Sequence, residues 1–389
     1  MPKQAVSVVQ LATGHVGGAG LAARRLHQQL LHDGVQSEFY CLERSNFSPS
    51  TSEHSIRRNL ARKLLSKLAV LVNENLTDQI HFSVFSTNAT NLNYFRSLSR
   101  DKTRVLHFHN WQNLISQGSL LTLISEGYPI ILTLHDERIA TGGCHYRLDC
   151  TQNQNGCFSC PRANKLLHHR IRQNRKNFSL IINKSLSNLA FISPSEWLKK
   201  SVEDSFTLES QQIRKALNPL GPFWNTSAYN FREREKNLGK TRVGVATMSD
   251  SFVKHDGLLT ALTKDPLFEK DFEIVYLRDY LEPGSGLSNF WKEIDVLLAL
   301  SRADNSPNSI VEARSLGIPV LASKVGGIPE ILSECDLALD NSQHNVIDII
   351  EKLSQTKAHK SKFDQINFTK KLSSSEQFVE LYRLVLENS

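Results

Sequence analysis

The sequence predicts an α/β protein built from two doubly wound, parallel-sheet domains. Apolar strand-like segments alternate with amphipathic helical segments along the chain, the usual pattern of parallel strands joined by crossover helices. A Pro- and Gly-rich connector at residues 218–230 interrupts the alternation, and 389 residues are enough for two separate cores. Because open parallel sheets bind ligands at the carboxyl ends of their strands, we expect both functional edges to face one shared cleft.

Each strand is predicted from an apolar run that ends in a turn or a polar residue. A helix follows the first strand and is closed by Gly34. The first series of predicted strands is "AVSVVQLA", "VQSEFYCL", "RVLHFHN", "PIILTLHD" and "LAFISPS", and the second is "TRVGVATM", "FEIVYL", "DVLLALS" and "IPVLAS". Residues 278–294, between two strands of the second series, leave room for one crossover helix.

Composition indicates a soluble globular protein, with 40% hydrophobic and 22% charged residues. The first residues lack the basic segment, long apolar segment and cleavage site of a secretory signal. The longest apolar runs are also far shorter than the roughly 20 residues of a membrane-spanning helix. We therefore expect a cytosolic protein.

Charge is unevenly distributed along the chain. Residues 1–220 hold 26 Lys and Arg against 15 Asp and Glu, whereas the remainder holds 20 against 24. Two basic segments, 55–72 and 162–177, account for much of the excess. In the first segment, basic residues lie beside a stripe of leucines. This pattern is typical either of a helix on an anionic membrane surface or of a solvated helix face. The basic residues are Arg58, Arg62 and Lys63, and the leucines are Leu60, Leu64, Leu68 and Leu71. No nucleic-acid-reading motif accompanies this charge, so nucleic acid is not an expected partner.

Residues 12–26 form a glycine-rich turn from the first strand into the first helix. Gly17 and Gly18 would allow a ligand anion to approach the helix N-terminus closely. The glycine order differs from the dinucleotide fingerprint, so an ordinary tight turn explains the segment equally well.

Histidines follow two strands of the first series. His135 and Asp136 end a very apolar strand, where they are either site residues or simple capping groups. His107 and His109 occupy alternate positions of the neighbouring strand and are weaker candidates, because they could simply face a helix.

Residues 301–332 combine two acids, a helix start and a glycine turn at a strand end. Asn308 or Ser309 is predicted to begin a helix that carries Glu312, and Asp304 lies in the preceding loop. Acids also gather near helix N-termini for dipole reasons alone. The full combination with "GIPV" and "VGG" is more specific than any of its parts.

This region resembles the C-terminal signature of the family 4 glycosyltransferases of GT-B fold. The family pattern has two Glu separated by seven residues, then a "G-x-P-V" strand and a "GG-x-x-E" turn; Glu312 matches the second acid, and Asp304 stands in place of the first. The segments "GGAGLAARRLHQQLL", "LTLHD" and "SPSEWL" also match, so the resemblance covers most of the chain. The tract "GGCHYRLDCTQNQNGCFSCP" resembles enzymes of bacterial exopolysaccharide and O-antigen assembly, including the colanic acid type.

The resemblance implies a retaining glycosyltransferase that moves a sugar from a nucleotide-sugar donor to a lipid-linked glycan at the cytosolic face of the membrane. It assigns the acceptor to a domain at 1–218, with a Cys-rich insert at 142–161, and the donor to a domain at 231–389 that is shorter than usual. The last helix of the donor domain, 374–388, is expected to pack back toward the first domain. No catalytic divalent metal is expected.

The resemblance also implies roles for individual residues. Glu312 would hold the ribose diol, Asp304 a donor-sugar hydroxyl and Lys254 the diphosphate. The remaining assignments are donor binding by Gly17, Gly18, Asn308 and Ser309, and catalysis by His135 and Asp136 together with Asp304. Met248 stands where the family usually has Arg. Together with the short second domain, Met248 leaves open the alternative that the chain is a GT-B-shaped binding or scaffolding protein that has lost catalysis.

Four cysteines follow the His135 segment with the spacing C-x5-C-x6-C-x2-C; they are Cys144, Cys150, Cys157 and Cys160. The closing C-x-x-C lets two thiolates share one ion, so we predict a structural Zn²⁺ site bracing the neighbouring loop. His145 could replace one cysteine, and an iron–sulfur cluster or two disulfides are alternatives. A zinc-bearing nucleic-acid binder is a weaker interpretation of the whole chain.

Overall fold

The chain forms two compact units, Met1–Pro222 with Ser374–Ser389, and Phe223–Ser373. The structure, a computed structural model, describes residues 6–42, 50–77, 82–183, 187–206, 213–222, 224, 239–247, 252–280, 287–334, 336–340, 344–356, 368–369, 372 and 374–389. Met248, Cys335 and most of the 218–230 connector lie outside these residues. The two units are described separately below.

The first unit contains a seven-stranded parallel sheet. Its strands are β1 Ser7–Ala12, β2 Gln36–Leu42, β3 Glu53–Ile56, β4 Val105–Phe108, β5 Ile130–Thr133, β6 Leu189–Ser193 and β7 Ile213–Lys215. They lie in the order β3-β2-β1-β4-β5-β6-β7, and each neighbouring pair is parallel. This is a doubly wound arrangement whose strand order reverses beside β1. Ligands bind at such reversal points, next to the carboxyl ends of β1 and β4.

Helices cover both faces of this sheet. They are α1 Gly17–His32, α2 Leu60–Leu76, α3 Leu92–Leu98, α4 Gln117–Ser125, α5 His168–Ile182 and α6 Glu196–Phe206. Alternate residues of β1 point to opposite faces, as strand geometry requires. Val9 and Leu11 pack in one buried cluster with Phe95 and Phe108, whereas Val8 packs in a second cluster with Leu26. The sheet is therefore buried on both sides.

The second unit contains a five-stranded parallel sheet. Its strands are β8 Thr241–Val245, β9 Phe272–Tyr276, β10 Val296–Ala299, β11 Val320–Ser323 and β12 Leu337–Leu339, in the order β12-β11-β10-β8-β9. The accompanying helices are α7 Asp256–Thr263, α8 Pro266–Asp271, α9 Leu287–Glu293, α10 Asn308–Ser315 and α11 Val346–Thr356. Among the described residues, α9 is the one α-helix between β9 and β10, which agrees with the single crossover that the sequence predicts.

A final helix, α12 Glu376–Glu387, belongs to the first unit. Ser375, just before it, donates both its backbone N–H and its hydroxyl to the Asp33 carboxylate, at 2.9 and 2.6 Å. The buried face of α12 joins the Val8 cluster through Phe378, Val379, Leu381, Tyr382 and Val385. Residues distant in sequence thus complete one face of the first sheet.

Within the described parts of the chain, no helix is long and apolar enough to cross a lipid bilayer.

Candidate functional site

Three histidines form a hydrogen-bonded network at the carboxyl ends of β4 and β5. His109 Nε2 lies 2.7 Å from Gln10 Oε1, and His109 Nδ1 lies 3.2 Å from His135 Nε2. Gln10 Nε2 donates to the Tyr382 hydroxyl at 2.9 Å, and that hydroxyl lies 2.8 Å from His107 Nδ1. We call these five residues the histidine network. Sequence reasoning ranked His107 and His109 below His135, but the structure joins all three.

The Gln10 amide determines which ring nitrogens carry protons. Because Gln10 Oε1 can only accept, His109 must donate from Nε2 and, when neutral, accept at Nδ1. His135 then donates from Nε2 and has its lone pair at Nδ1. The network therefore orients His135 and fixes its tautomer.

Burial keeps the network neutral. Removal from water lowers the pKa of His135 to about 4 and that of His107 to about 3. The pKa of His109 also lies well below its ordinary value, first because of burial and then because of the two neighbouring histidines. At neutral pH these side chains act as hydrogen-bonding groups and carry no positive charge.

Asp136, next to His135, is held as a carboxylate. Its Oδ2 lies 2.7 Å from His145 Nδ1, and its Oδ1 accepts from the backbone N–H of Arg138 at 2.9 Å. Burial alone would raise the pKa of Asp136, but His145, with a contribution from Arg138, lowers it below the usual range. Ser83 contacts the far nitrogen of His145 at 2.6 Å. Asp136 is therefore the N-cap residue of the short 3₁₀ turn Glu137–Ala140, as the capping alternative predicts, and its second carboxylate oxygen is anchored by His145.

A small pocket opens beside this network, with room for about one water molecule. Its lining includes His109, His135, Asp136, Trp111 and Arg138. The Arg138 guanidinium lies 4.9 Å from the centre of the Trp111 ring. The pocket stands at the strand ends where doubly wound sheets bind ligands.

In the second unit, a charged cluster lies beyond the carboxyl end of β10. Lys254 Nζ is hydrogen-bonded to Asp304 Oδ2 and lies 3.2 Å from Ser301 Oγ. Asp304 is buried, so this ion pair is shielded from water on the carboxylate side. Two predicted site residues, Lys254 and Asp304, are thus brought together although 50 residues separate them.

The backbone beside Asp304 requires a glycine. Gly326 has a φ of +58°, and a Cβ at this position would lie 1.9 Å from the carbonyl oxygen of Asp304. Gly327 donates its N–H to the same carbonyl at 3.0 Å. The glycine turn predicted after β11 therefore fixes the loop that carries Asp304.

Helix α10 begins at Asn308, as the sequence predicts, and Glu312 lies in its second turn. Pro307 precedes the helix and offers no side-chain cap. Glu312 is buried, whereas Ser309 is partly exposed. A helix start next to the Lys254–Asp304 pair adds the positive end of a helix dipole to this edge of the sheet.

Gly17 and Gly18 are the first residues of α1, and Gly17 has a φ of +77°. A Cβ built on either would meet no atom within 4 Å, so packing does not require glycine at these two positions. Gly20 differs, because its Cβ would lie 2.3 Å from the Gly14 carbonyl oxygen. The structure thus leaves open space at Gly17 and Gly18 and uses Gly20 for close packing.

The cysteines do not fit the predicted zinc site. Among the described residues, no group of three or more His, Cys, Asp or Glu side chains could hold a metal ion. Cys144, Cys157 and Cys160 are thiols that pack with apolar side chains such as Phe82 and Ile171. Burial raises the pKa of Cys157 to about 11, so the metal-free thiol stays protonated at neutral pH.

Other details also disagree with the metal prediction. Cys150 is only partly buried and lies outside that cluster. His145, offered as a substitute ligand, contacts Asp136 and Ser83. Neither the zinc site nor the disulfide alternative is supported by the structure. Cys144, Cys157 and Cys160 form a packed thiol cluster with these apolar side chains.

Sequence reasoning did not identify Gln10, Tyr382 or Arg138. Gln10 is a fully buried polar residue in the otherwise apolar strand β1, which is an available signal for a hydrogen-bonded site. Tyr382 is 275 positions from His107, and no local pattern reveals such a contact. Arg138 follows Asp136 by two residues and could have been noticed as a cation beside the predicted site.

Comparison with solved structures places the fold among the GT-B glycosyltransferases, and this confirms the predicted fold class. Sucrose-phosphate synthase from Thermosynechococcus elongatus aligns over 98% of this chain and 100% of its own, with a TM-score of 0.63 and 14% identity. Anabaena Alr3699/HepE in complex with UDP-glucose aligns over 97% and 98%, with a TM-score of 0.56 and 12% identity. WaaG, a glycosyltransferase involved in lipopolysaccharide biosynthesis, aligns over 98% of both chains, with a TM-score of 0.55 and 11% identity.

Sequence comparison identifies a family segment in the second unit. Residues 264–356, which include Asp304 and Glu312, match the family described as glycosyl transferases group 1. Over 355 residues the chain is 24% identical to the "Putative colanic acid biosynthesis glycosyl transferase WcaC" of Escherichia coli (strain K12), covering 82% of this chain and 83% of that one. The predicted resemblance to glycosyltransferases is thereby confirmed.

Proposed function

We propose that this chain is a retaining glycosyltransferase that moves a sugar from a nucleotide-sugar donor to a glycan acceptor in bacterial surface polysaccharide biosynthesis. The observation that carries the proposal is the Lys254–Asp304 pair beside the start of α10, because it places a cation, a carboxylate and a helix dipole at one sheet edge. The WcaC relative and the UDP-glucose complex of HepE support the same class of reaction and donor.

The donor diphosphate is assigned to Lys254 and the start of α10. A Lys ammonium has three N–H donors, and two of them are directed at Asp304 and Ser301. The third can serve a phosphate oxygen, and the start of α10, with Asn308 and Ser309 as its first residues, is assigned to the same diphosphate because it carries the positive end of the helix dipole. These groups stabilise the departing diphosphate, so no catalytic divalent metal is required in this proposal.

The sugar and ribose are assigned to the two acids. Asp304 retains capacity to accept from a donor-sugar hydroxyl, because a carboxylate offers about four acceptor positions. Glu312 is assigned to the ribose diol, which a single carboxylate can bind through two hydrogen bonds. Asp is one methylene shorter than the Glu of the family pattern, so the bound sugar or its position must differ.

The first unit is proposed to bind the acceptor, with His135 and Asp136 contacting the reacting sugar. During transfer the bond from the anomeric carbon to the diphosphate oxygen breaks, the acceptor hydroxyl oxygen bonds to that carbon, and the hydroxyl proton passes to the departing diphosphate oxygen. A neutral His135, whose Nε2–H is donated to His109, can accept one hydrogen bond from a sugar hydroxyl at Nδ1 without adding charge. Gly17 and Gly18 of the first unit are assigned to donor binding, because a Cβ at either position would meet no atom within 4 Å.

We further propose that the acceptor is lipid-linked and that α2 contacts an anionic membrane surface at the cytosolic face. Five leucines of this helix are more than half exposed, and Leu60 reaches 73%; the others are Leu64, Leu65, Leu68 and Leu71. Its buried residues are Ser66, Ala69 and Asn73, so the apolar stripe faces away from the core. Basic side chains beside an exposed apolar stripe favour anionic lipid.

Donor turnover by the purified chain tests the enzymatic proposal. Nucleotide sugars should first be screened for a rise in melting temperature, because only bound ligands stabilise the folded state. The stabilising donor should then release nucleoside diphosphate when a glycan acceptor is added. Stabilisation without turnover would favour the binding or scaffolding alternative. If no nucleotide sugar stabilises the chain, the assignment of the donor diphosphate to Lys254 would be contradicted, for an enzyme and for a binding protein alike.

A further inference from the structure

A polar groove of about 240 Å³ lies in the first unit next to the small histidine pocket. Trp111 and Arg138 line both spaces, so the two are adjacent. We call the larger space the arginine groove; its lining includes Ser86, Trp111, Gln117, Arg138, Arg170 and Asn177. The proposed function has assigned no ligand group to it.

Arg138 is the most informative residue of the groove. The residue is only 5% exposed, yet its side-chain Nε has no hydrogen-bond partner among the described residues. The neighbouring Asp136 carboxylate is directed at His145 and at the Arg138 backbone. Burying a guanidinium with an unsatisfied N–H destabilises the folded state unless a hydrogen-bond acceptor binds it. An oxyanion with two oxygens fits the paired N–H donors of the guanidinium.

The surroundings add positive charge. Arg170 lines the groove from α5 and lies over the Phe85 ring at 5.7 Å. Gln117 and Gly118, the first residues of α4, contribute the positive end of a helix dipole. None of the described residues that line the groove is Asp or Glu. The electrostatic character of this space therefore favours an anion.

The remaining lining fits a sugar ring. Trp111 and Phe178 supply aromatic surface. Asn177 donates to Gln117 Oε1 at 3.1 Å, and this contact orders two amides at the groove wall. Amides and serine hydroxyls are the usual partners of sugar hydroxyls. A bare inorganic anion would use the arginines and leave this polar and aromatic surface without a role.

We propose that the arginine groove binds an acidic sugar of the acceptor, with Arg138 and Arg170 holding its oxyanion and Trp111 supporting its ring. This proposal rests on the proposed function, because it assigns the acceptor's chemical class. The oxyanion is either a carboxylate, as in a uronic acid, or a phosphate ester. Both offer the oxygen pair that an arginine fork binds.

Ligand-observed NMR and calorimetry on the full chain test the proposal without relying on turnover. The probes are methyl β-D-glucuronide, glucose 1-phosphate and the neutral methyl β-D-glucoside. At least one acidic probe should bind at least about 10-fold more tightly than the glucoside, as expected for one charge-assisted contact. Preference for the glucuronide assigns a carboxylate, and preference for the phosphate assigns a phosphate ester.

Variants connect the preference to the groove. Arg170→Gln should reduce the preference for the acidic probe over the neutral glucoside about 10-fold. Arg138→Lys should reduce this preference by a similar factor, because lysine lacks the planar guanidinium fork. Arg172→Gln, an exposed change on the same helix that does not line the groove, should have no effect. Equal binding of acidic and neutral probes, absence of binding by all three, or no effect of Arg170→Gln would overturn the inference. Nucleotide-sugar binding, measured in parallel, shows whether the proposed function fails with it.

Discussion

The residues proposed for catalysis differ in charge between the two units. Around His135, burial keeps three imidazoles neutral and hydrogen bonds fix their orientation. Around Asp304, a lysine and a carboxylate remain paired. The neutral group suits contact with sugar hydroxyls, and the charged group suits the diphosphate and the ribose. Predictions at the scale of single residues follow from this difference.

Glu312→Gln should weaken donor binding and turnover at least about 10-fold. A neutral amide would replace a charged acceptor, and hydrogen bonds to charged groups are worth roughly 1.5 to 3 kcal/mol. Calorimetric titration with the stabilising nucleotide sugar measures the binding change. Glu351→Gln, an exposed change on α11, serves as the matched control. Unchanged affinity in the Glu312 variant would remove this residue from the donor site.

His135→Ala should lower kcat at least about 10-fold while the chain still unfolds in one cooperative transition. The matched variant is His107→Gln, because His107 belongs to the same network but does not line the small pocket. It should lower the melting temperature, since buried partners lose hydrogen bonds, and change kcat little. If the two variants affect kcat equally, His135 acts only through structure.

The sequence predicted part of the site at this scale. His135 and Asp304 were proposed as site residues because each follows an apolar strand, where ligand-binding residues of parallel sheets gather. Gln10 and Tyr382 were missed because their partners are distant in sequence. The cysteine spacing suggested zinc, but spacing does not determine packing, and the thiols lie among apolar side chains.

At the scale of elements, predicted strands follow the apolar runs. "LAFIS" became β6 and "FEIVY" became β9 without a shift at their first residues. Three short strands were not predicted: β3, β7 and β12, each of three or four residues at the edge of its sheet. An edge strand has a neighbouring strand on one side only and is less buried, so its sequence contains fewer apolar residues. Such strands are therefore identified only from their pairing in the folded sheet.

Helix α2 supports a prediction about membrane contact. The double change Leu64→Gln and Leu68→Gln should lower binding to vesicles containing anionic lipid at least about 10-fold, because burying one leucine contributes roughly 1.5 to 3 kcal/mol. Sedimentation with vesicles measures this, and thermal stability should change little since both side chains are exposed.

Two controls accompany the α2 experiment. Ile347→Gln removes an exposed apolar side chain from the second unit and should leave vesicle binding unchanged. Replacing Arg57, Arg58, Arg62 and Lys63 with Gln should weaken binding by about 1 kcal/mol for each charge near the surface. Full retention of binding in the leucine variant would indicate a solvated helix face.

At the scale of the whole molecule, buried neutral histidines make folding depend on pH. The folded-state pKa is about 4 for His27 and His135 and about 3 for His107, in each case mainly because of burial. The unfolded chain takes up these protons near pH 6.5, before the folded chain does. The free energy of unfolding should therefore fall as pH drops from about 6.5 to about 4, by up to roughly 1.4 kcal/mol per pH unit for each histidine.

Urea denaturation at several pH values measures this slope. His27→Gln keeps a hydrogen-bonding side chain between Ser37 and Ser52. This variant should reduce the pH dependence of the unfolding free energy by the contribution of one histidine. His169→Gln, on the exposed side of α5, is the matched control. A slope that does not respond to His27→Gln would show that the acid sensitivity arises elsewhere.

Helix α12 also affects the order in which the molecule can form during translation. Residues 223–373 leave the ribosome before α12 does, although α12 belongs to the first unit. Until it arrives, the apolar surface around Val8 and Val105 lacks its cover, and Gln10 and His107 lack the Tyr382 hydroxyl. A nascent chain must therefore carry an incomplete first domain while the second is synthesised. The histidine network becomes complete only in the last stage of biogenesis, when both parts of the first unit are joined.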